Sequence, residues 1–332
     1  MNQSRFRKAT ATTAIAVTAA FALAACSGGG AENTDDSTSG SGGGGGNSGY
    51  TIAMVTHETP GDTFWDKIKA GATQAAKNNG ITLKYSNDPD PSKQATLIQN
   101  AVDSKVDGIA TTLATPDALA GAVKTATDAK IPVVAFNSGI DQYKQVGAQM
   151  YFGSDETLAG TTAGKRLAEQ GAKHPLCVIQ QTGSVALEAR CAGVKSSVPG
   201  TENIQVNGAD DAAVTTTLQA KLAQDKSIDA IVTLGAPQAL DAIKAKDQSG
   251  SSAKLVTFDL NQEAAQDIKD GKILFSIDQQ PYVQGYMAVT SLYLNLKNGN
   301  DIGGGKAVLT GPSFVDSTNI DKILPFTKNN TR

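Results

Sequence analysis

Histidine is nearly absent from this chain of 332 residues, which has two, His57 and His174, far apart in sequence. Cysteine is almost as scarce, at three residues with no Cys-x-x-Cys pair, and no Gly-x-Ser-x-Gly occurs. These shortages leave no nucleophilic triad and no structural zinc site. A phosphate-cradling loop is missing too: Gly42–Gly46 lies in low-complexity sequence and Gly303–Gly305 in a turn, neither between a strand and a helix. The net charge of −3, with pI ≈ 5.5, provides no surplus of cations to neutralise a nucleic-acid backbone. Long apolar runs are lacking as well. Ala9–Ala25 is uncharged but has only 17 residues, with little Leu or Ile, where a membrane span needs ~20. No period of ~20–50 residues repeats closely enough for a solenoid. The chemistry left is binding without catalysis, metal or cofactor.

What is present is a globular chain with a tail. Hydrophobic residues are 40% and charged residues 18%, which supports large cores, and the length suits two domains of ~150 residues each. Arg5, Arg7 and Lys8 precede the Ala/Thr run, which closes on Leu23-Ala24-Ala25-Cys26. That order reads as a signal peptide over residues 1–25, and its end resembles the bacterial lipobox, which implies a lipidated Cys26. Loss of the peptide would take the net charge from −3 to −6. Ser27–Gly49 carries ten of the chain's 34 glycines among Ser, Asn, Thr and Asp. Such a composition cannot bury enough apolar surface to offset its ordering entropy, so residues 26–49 are expected to be a flexible linker. If Cys26 carries lipid, Cys177 and Cys191 remain in an oxidising compartment and are expected to pair; two separate buried thiols are the alternative.

From Tyr50 onwards, β-branched apolar runs recur with helical segments between them. Thr51–Thr56, Ile81–Tyr85, Val106–Thr112 and Ile131–Phe136 start 30, 25 and 25 residues apart, the spacing of strand–helix–strand units in a parallel sheet. Thr115-Pro116-Asp117 reads as a hydroxyl cap with proline at the first helical position, and Gly80 as the left-handed stop of a helix over Phe64–Asn79. A second series runs through Leu176–Thr182, Ile204–Val206, Ile228–Leu234, Leu255–Phe258 and Ile273–Ile277. The expected fold is α/β, with two similar doubly wound parallel-sheet lobes. Ligands of such sheets sit beyond the carboxyl ends of the strands, and the residues there are polar: His57 to Trp65, Asn137, Asp155, Gly235, Asp259 and Gln279.

Gly61-Asp62-Thr63-Phe64-Trp65-Asp66, with Gly71-Ala72 after it, resembles the region after the first strand in the ribose-binding-protein family, the type I periplasmic solute-binding proteins of sugar ABC transporters. Asp107-Gly108-Ile109, Ile131-Pro132-Val133-Val134, Arg190 with Gly193, Phe258-Asp259, Asp270-Gly271 and Gln279 with Pro281 follow in the family's order. The resemblance spans nearly all of residues 50–316. It implies three hinge crossings, near Ser154, Gln280 and Gly311, so that residues 50–154 with 281–311 build one lobe and 155–280 with 312–332 the other. It also implies a site. Phe64 and Trp65 match an aromatic pair that packs on a sugar ring; Asp62, Asn137, Arg190, Asp259 and Gln279 match hydrogen-bonding positions. His57, after the first strand, lies within reach. Asn137 and Ser138 stand where ribose binders have Asp and Arg, Gly235 departs from a frequent Asn, and no aromatic is evident near Ala209; these departures count against ribose itself.

Each of these residues also has a plainer reading. Phe64 and Trp65 could be core residues, although adjacent aromatics cannot both face one side of a helix. Asp62 and Asp259 could be ordinary loop carboxylates, Arg190 could pair with Glu188 or a surface acid, and His174 could be a solvated loop residue. The expected function is an extracytoplasmic, lipid-anchored, monomeric binding protein that closes on a neutral sugar or polyol and delivers it to the permease of an ABC importer. A sensory receptor would use the same pocket. A surface glycosidase could use Asp62 and Asp259, but nothing in their spacing establishes the separation that chemistry needs.

Overall fold

The structure, a computed structural model, describes residues 47–332. The expected signal peptide and Cys26 lie outside the described residues. Packing begins before Tyr50: the backbone N–H and the hydroxyl of Ser48 both donate to the Gly80 carbonyl, each at 2.8 Å.

Two six-stranded sheets organise the molecule. The first contains β1 (Thr51–Thr56), β2 (Thr82–Asn87), β3 (Gly108–Thr112), β4 (Val133–Phe136), β5 (Met150–Ser154) and β11 (Val308–Gly311), in the order β11-β5-β4-β3-β1-β2. The second contains β6 (Pro175–Ile179), β7 (Glu202–Gln205), β8 (Ala230–Thr233), β9 (Lys254–Phe258), β10 (Phe275–Asp278) and β12 (Ser313–Asp316), in the order β12-β10-β9-β8-β6-β7. Between them run α1 (Phe64–Asn79), α2 (Pro91–Asp103), α3 (Pro116–Asp128), α4 (Glu156–Glu169), α5 (Val185–Ser197), α6 (Asp211–Gln224), α7 (Ala236–Ser249), α8 (Gln262–Lys269), α9 (Pro281–Asn298) and α10 (Ile320–Thr327). The expected α/β class with two doubly wound lobes is borne out, with one amendment: β12 runs antiparallel to β10. It can, because β11 and β12 are joined by Pro312 alone and the chain changes sheet there.

Side chains alternate across each sheet and so feed two cores. Ile52 and Met54 of β1 pack with Trp65 and Ile68 of α1 and Leu292 of α9, while Ala53 and Val55 pack with Ile98 of α2 and Val123 of α3. The second sheet repeats the arrangement. Leu176 and Val178 of β6 meet Leu218 of α6 and Ala239 of α7, and Cys177 and Ile179 meet Ala163 of α4 and Val194 of α5. Cys177 and Cys191 form the expected disulfide, tying β6 to α5 with Cα atoms 5.8 Å apart and a sequence separation of 14. Closing a loop of that size contributes about 3 kcal/mol in the chain-entropy account.

The lobes share a second device. Where α1 crosses α9, a methyl group on Gly71 would overlap the Tyr282 carbonyl, and one on Gly285 the Ile68 carbonyl. Where α4 crosses α5, Gly160 and Gly193 meet backbone in the same way: a Cβ added to Gly193 would lie 2.6 Å from the Thr157 carbonyl oxygen. Both crossings therefore bring backbone against backbone, which anchors α1 and α5, the helices that carry Trp65 and Arg190.

Local expectations differ from the structure in two respects. Thr115 precedes α3 but its hydroxyl makes no cap bond; the Ala118 N–H donates instead to the Thr115 carbonyl at 3.2 Å, so the first turn closes on backbone. Gly80 does stop α1 in the left-handed region, at φ 64°. Several expected strands are also longer than the real ones, above all Leu176–Thr182 against Pro175–Ile179, which places Gln180 beyond the strand rather than in it. The chain passes between the sheets after β5, after β10 and between β11 and β12, and these crossings bring the carboxyl ends of β1, β3 and β4 opposite those of β6, β8 and β9.

Candidate functional site

One cavity lies between the carboxyl ends of the two sheets, and all nine residues expected at the site line it: His57, Asp62, Phe64, Trp65, Asn137, Arg190, Gly235, Asp259 and Gln279. It offers about 60 Å³ of space for water centres. The sequence reading missed Gln180, Ser184 and Gln238, which also line it. Gln180 follows β6 as His57 follows β1, a signal hidden by the over-long strand expectation. Gln238 sits in the first turn of α7, where no local pattern marks it.

Asn137 and Asp259 occupy equivalent places, directly after the fourth strand of each lobe, and both are left-handed, at φ 66° and 63°. Asn and Asp tolerate that region better than other side-chain-bearing residues. Each turn is held by the residue's own N–H, which donates to Phe152 O at 2.9 Å in one lobe and Ile277 O at 3.0 Å in the other. Gln279 joins the two. Its Oε1 accepts from Asn137 Nδ2 at 3.3 Å and its Nε2 donates to Asp259 Oδ1 at 2.8 Å. Gln284 of α9 completes the bridge, donating to Gln279 Oε1 at 3.2 Å. The amide of Gln279 thus fixes the other two side chains across the hinge.

Arg190 pairs with neither Glu188 nor a surface acid. Its Nε and Nη2 donate to the two carboxylate oxygens of Glu156 at 2.6 and 3.2 Å, and Nη1 donates to Leu234 O at 3.1 Å. Both partners are buried, with side chains 3% and 4% exposed, and the guanidinium carbon lies 4.6 Å from the centre of the Phe258 ring. Asp259 Oδ2 is 4.0 Å from Arg190 Nη1. Glu156 lies in the first turn of α4, far from Arg190 in sequence, so only the packing of α4 on α5 reveals the pair.

His57 is buried, and its Nδ1 is 2.7 Å from Thr112 Oγ1. That hydroxyl already accepts from the His57 N–H at 3.2 Å and from Gln94 Nε2 at 3.2 Å. With its two acceptor sites filled, the hydroxyl's one proton goes to Nδ1, and His57 keeps its own proton on Nε2. Burial, with Arg190 adding to it, pushes the His57 pKa down to about 3, so the imidazole is neutral at pH 7. Trp65 stands edge-on to His57 at 4.8 Å between ring centres and to Phe64 at 5.2 Å. Both aromatics line the cavity and both belong to the core under β1, so the two readings of this pair hold together.

Two carboxyls are held towards the neutral form. Burial raises Asp259 to about 7 against the pull of Arg190 and the Gln279 hydrogen bond, and burial raises Asp62 although the Phe64 N–H donates to it at 3.0 Å. Between about pH 4 and about 7 the folded protein keeps on Asp259 a proton that the unfolded chain has released. This group's contribution to stability therefore falls as pH rises through that window. His57 acts oppositely, losing stability as pH falls from about 6.5 towards 3. In urea denaturation, Asp259→Asn should gain stability relative to wild type as pH rises from about 4 to about 7; parallel profiles would show that Asp259 does not titrate there.

Among the described residues, one cluster away from the cavity has metal-ligand types, His174, Glu202 and Asp225. Lys221 Nζ lies 2.8 Å from Glu202 and 3.6 Å from Asp225, so a lysine already serves these carboxylates. His174 is partly exposed and bonds Ser227, in keeping with a loop residue.

Comparison with known proteins agrees with the fold. A carbohydrate transporter from Acidothermus cellulolyticus 11B, solved in complex with myo-inositol, is 55% identical with a TM-score of 0.84, over 85% of this chain and 99% of that one. The xylose/arabinose-binding protein of Sulfolobus acidocaldarius is 28% identical over 68% of this chain, and the match spans only 61% of its own length. The ribose import binding protein of Bacillus subtilis is 25% identical over 73% of this chain and 81% of its own. The periplasmic binding protein domain matches residues 52–301, which hold ten of the twelve strands and every cavity residue named above, and the chain belongs to that family.

Proposed function

We propose that this protein captures one neutral cyclic polyol or monosaccharide between its lobes outside the cytoplasm and delivers it to the permease of an ABC importer. The observation that carries the reading is the spent charge of Arg190. Glu156 neutralises the guanidinium, His57 is uncharged, and among the described residues the cavity lining is left with a mixture of donors and acceptors and no free cation for an anionic ligand. Hydroxyls both donate and accept, so a polyol satisfies such a wall. Phe64 and Trp65 supply an apolar face for the C–H side of a ring. The departures from ribose binders at Asn137, Ser138 and Gly235, and the myo-inositol bound to the Acidothermus cellulolyticus protein, favour an inositol over a pentose.

Closure about the crossings would signal the loaded state. Two contacts support it: the Val185 N–H of α5 donates to Ala114 O, beyond β3, at 3.0 Å, and Gln279 links Asn137 to Asp259. Calorimetry with myo-inositol, ribose, xylose, galactose and an inositol phosphate tests the ligand class. Saturable binding of a neutral member is expected; preference for the phosphate, or binding of none, overturns the reading.

The anchor belongs to the same proposal, with lipid on Cys26 holding the protein at the outer face of the membrane. Wild type should partition into detergent and Cys26→Ser into water; equal partitioning of the two rules the anchor out.

A further inference from the structure

Gly235, the N-cap of α7 two residues beyond β8, has φ −162° and ψ 153°, extended backbone that any residue adopts, so glycine is not there for conformation. It is there for room. A Cβ at this position would lie 2.6 Å from Gln238 Oε1 and 3.1 Å from Gln180 Nε2. Gly208, also at the cavity wall, makes the same allowance: its Cβ would lie 2.8 Å from that of Gln180. Two positions without side chains thus leave room, at Gly208 for the stem of Gln180 and at Gly235 for the carboxamides of Gln180 and Gln238. Gln238 is 4% exposed, and Gln180 Oε1 is buried with no hydrogen-bond partner. An orphaned amide oxygen in a cavity wall is costly unless something placed in the cavity donates to it.

We propose that Gln180 and Gln238 bind the ligand directly and determine its specificity, reading adjacent hydroxyls on the side of the cavity where Gly235 offers no side chain. The inference rests on the polyol reading above. Gln180 Oε1 accepts from one hydroxyl, and the amide of Gln238, within reach of the same point above Gly235, engages a neighbour. Gln180 stands after β6 as His57 stands after β1, so the first strand of each lobe ends in a residue at the cavity. His57 presents Nε2–H and Gln180 presents an unpaired oxygen. A hydroxylated ring carries both functions on every carbon. An uncharged amide pair also gives no advantage to a carboxylated or phosphorylated analogue over the neutral ring.

The test is calorimetry on full-length protein with myo-inositol and, if that does not bind, with the neutral sugar that wild type prefers. Absence of any wild-type ligand defeats the polyol reading, a failure distinct from that of the present inference. With a wild-type ligand in hand, Gln180→Leu and Gln238→Leu should each weaken binding at least tenfold, and Gly235→Ala should weaken it by displacing Gln238. Thermal unfolding of each ligand-free variant reports folding; where a Leu variant does not fold, the unbranched Gln180→Met or Gln238→Met replaces it. Monodeoxy derivatives supply a readout that a structural role would not move. Wild type should discriminate against the derivative lacking the hydroxyl read by Gln180, and the Gln180 variant should not. Folded variants that bind within twofold of wild type, or that retain every deoxy penalty, overturn the proposal.

Discussion

Arg190→Ala should cost about 3–5 kcal/mol of folding stability in addition to lost ligand affinity, because it leaves Glu156 ionised, buried and unpaired. The resemblance implies for Arg190 only a hydrogen-bonding position at the site. In the structure, three of its hydrogen bonds go to Glu156 and Leu234 and its face covers Phe258. The side chain therefore holds α4, α5, β8 and β9 together before any ligand arrives. Chemical denaturation of ligand-free Arg190→Ala should show a large drop in midpoint, Glu156→Gln a smaller one, and Arg190→Met with Glu156→Leu a partial recovery, since an apolar pair leaves no orphaned charge. A wild-type midpoint for Arg190→Ala would mean that Glu156 finds water or another partner. Affinity measured on the recovered double variant then isolates the contact of Arg190 with ligand from its contact with Glu156.

Trp65→Ala should be comparably severe, at about 3–5 kcal/mol, the range for truncating a buried aromatic. The indole is 3% exposed, sits among Ile52, Met54 and Ile68, and meets His57 and Phe64 edge-on. Its loss opens a void beneath β1 and frees the imidazole that faces the cavity. Trp65→Phe fills most of that void and should cost much less. Trp65 is the chain's one tryptophan, so emission reports on this position alone. A ligand that saturates in calorimetry should shift or quench that emission with the same midpoint. Flat emission through such a titration would place the ligand on Phe64 and leave Trp65 to the core.

The cavity side of the molecule was legible because the rule that locates it is local. A strand read from β-branched alternation has a carboxyl end, and the next residue is at the site; His57, Asn137, Asp259 and Gln279 follow β1, β4, β9 and β10 in this way. Gln180 obeys the same rule after β6 and was missed because the expected strand was carried on through the polar Gln180, Gln181 and Thr182, past its real end at Ile179. β5, β11 and β12 were not read from periodicity, and the resemblance alone implied the crossings that they make.

What each residue does at the cavity is a different matter. Composition, periodicity and strand ends determined the α/β class, the two lobes and the ring of polar residues between them, because each follows from the preferences of neighbours along the chain. Only the tertiary structure decided that Arg190 is neutralised by Glu156, that the Thr112 hydroxyl sets the His57 tautomer, that Gln279 bridges Asn137 and Asp259, and that Gly235 makes room for Gln180 and Gln238. Hydrogen bonds, charge and volume are settled by whichever groups come within about 3 Å, and here most of those groups come from helices and strands tens of residues apart, which a one-dimensional reading has no means of pairing.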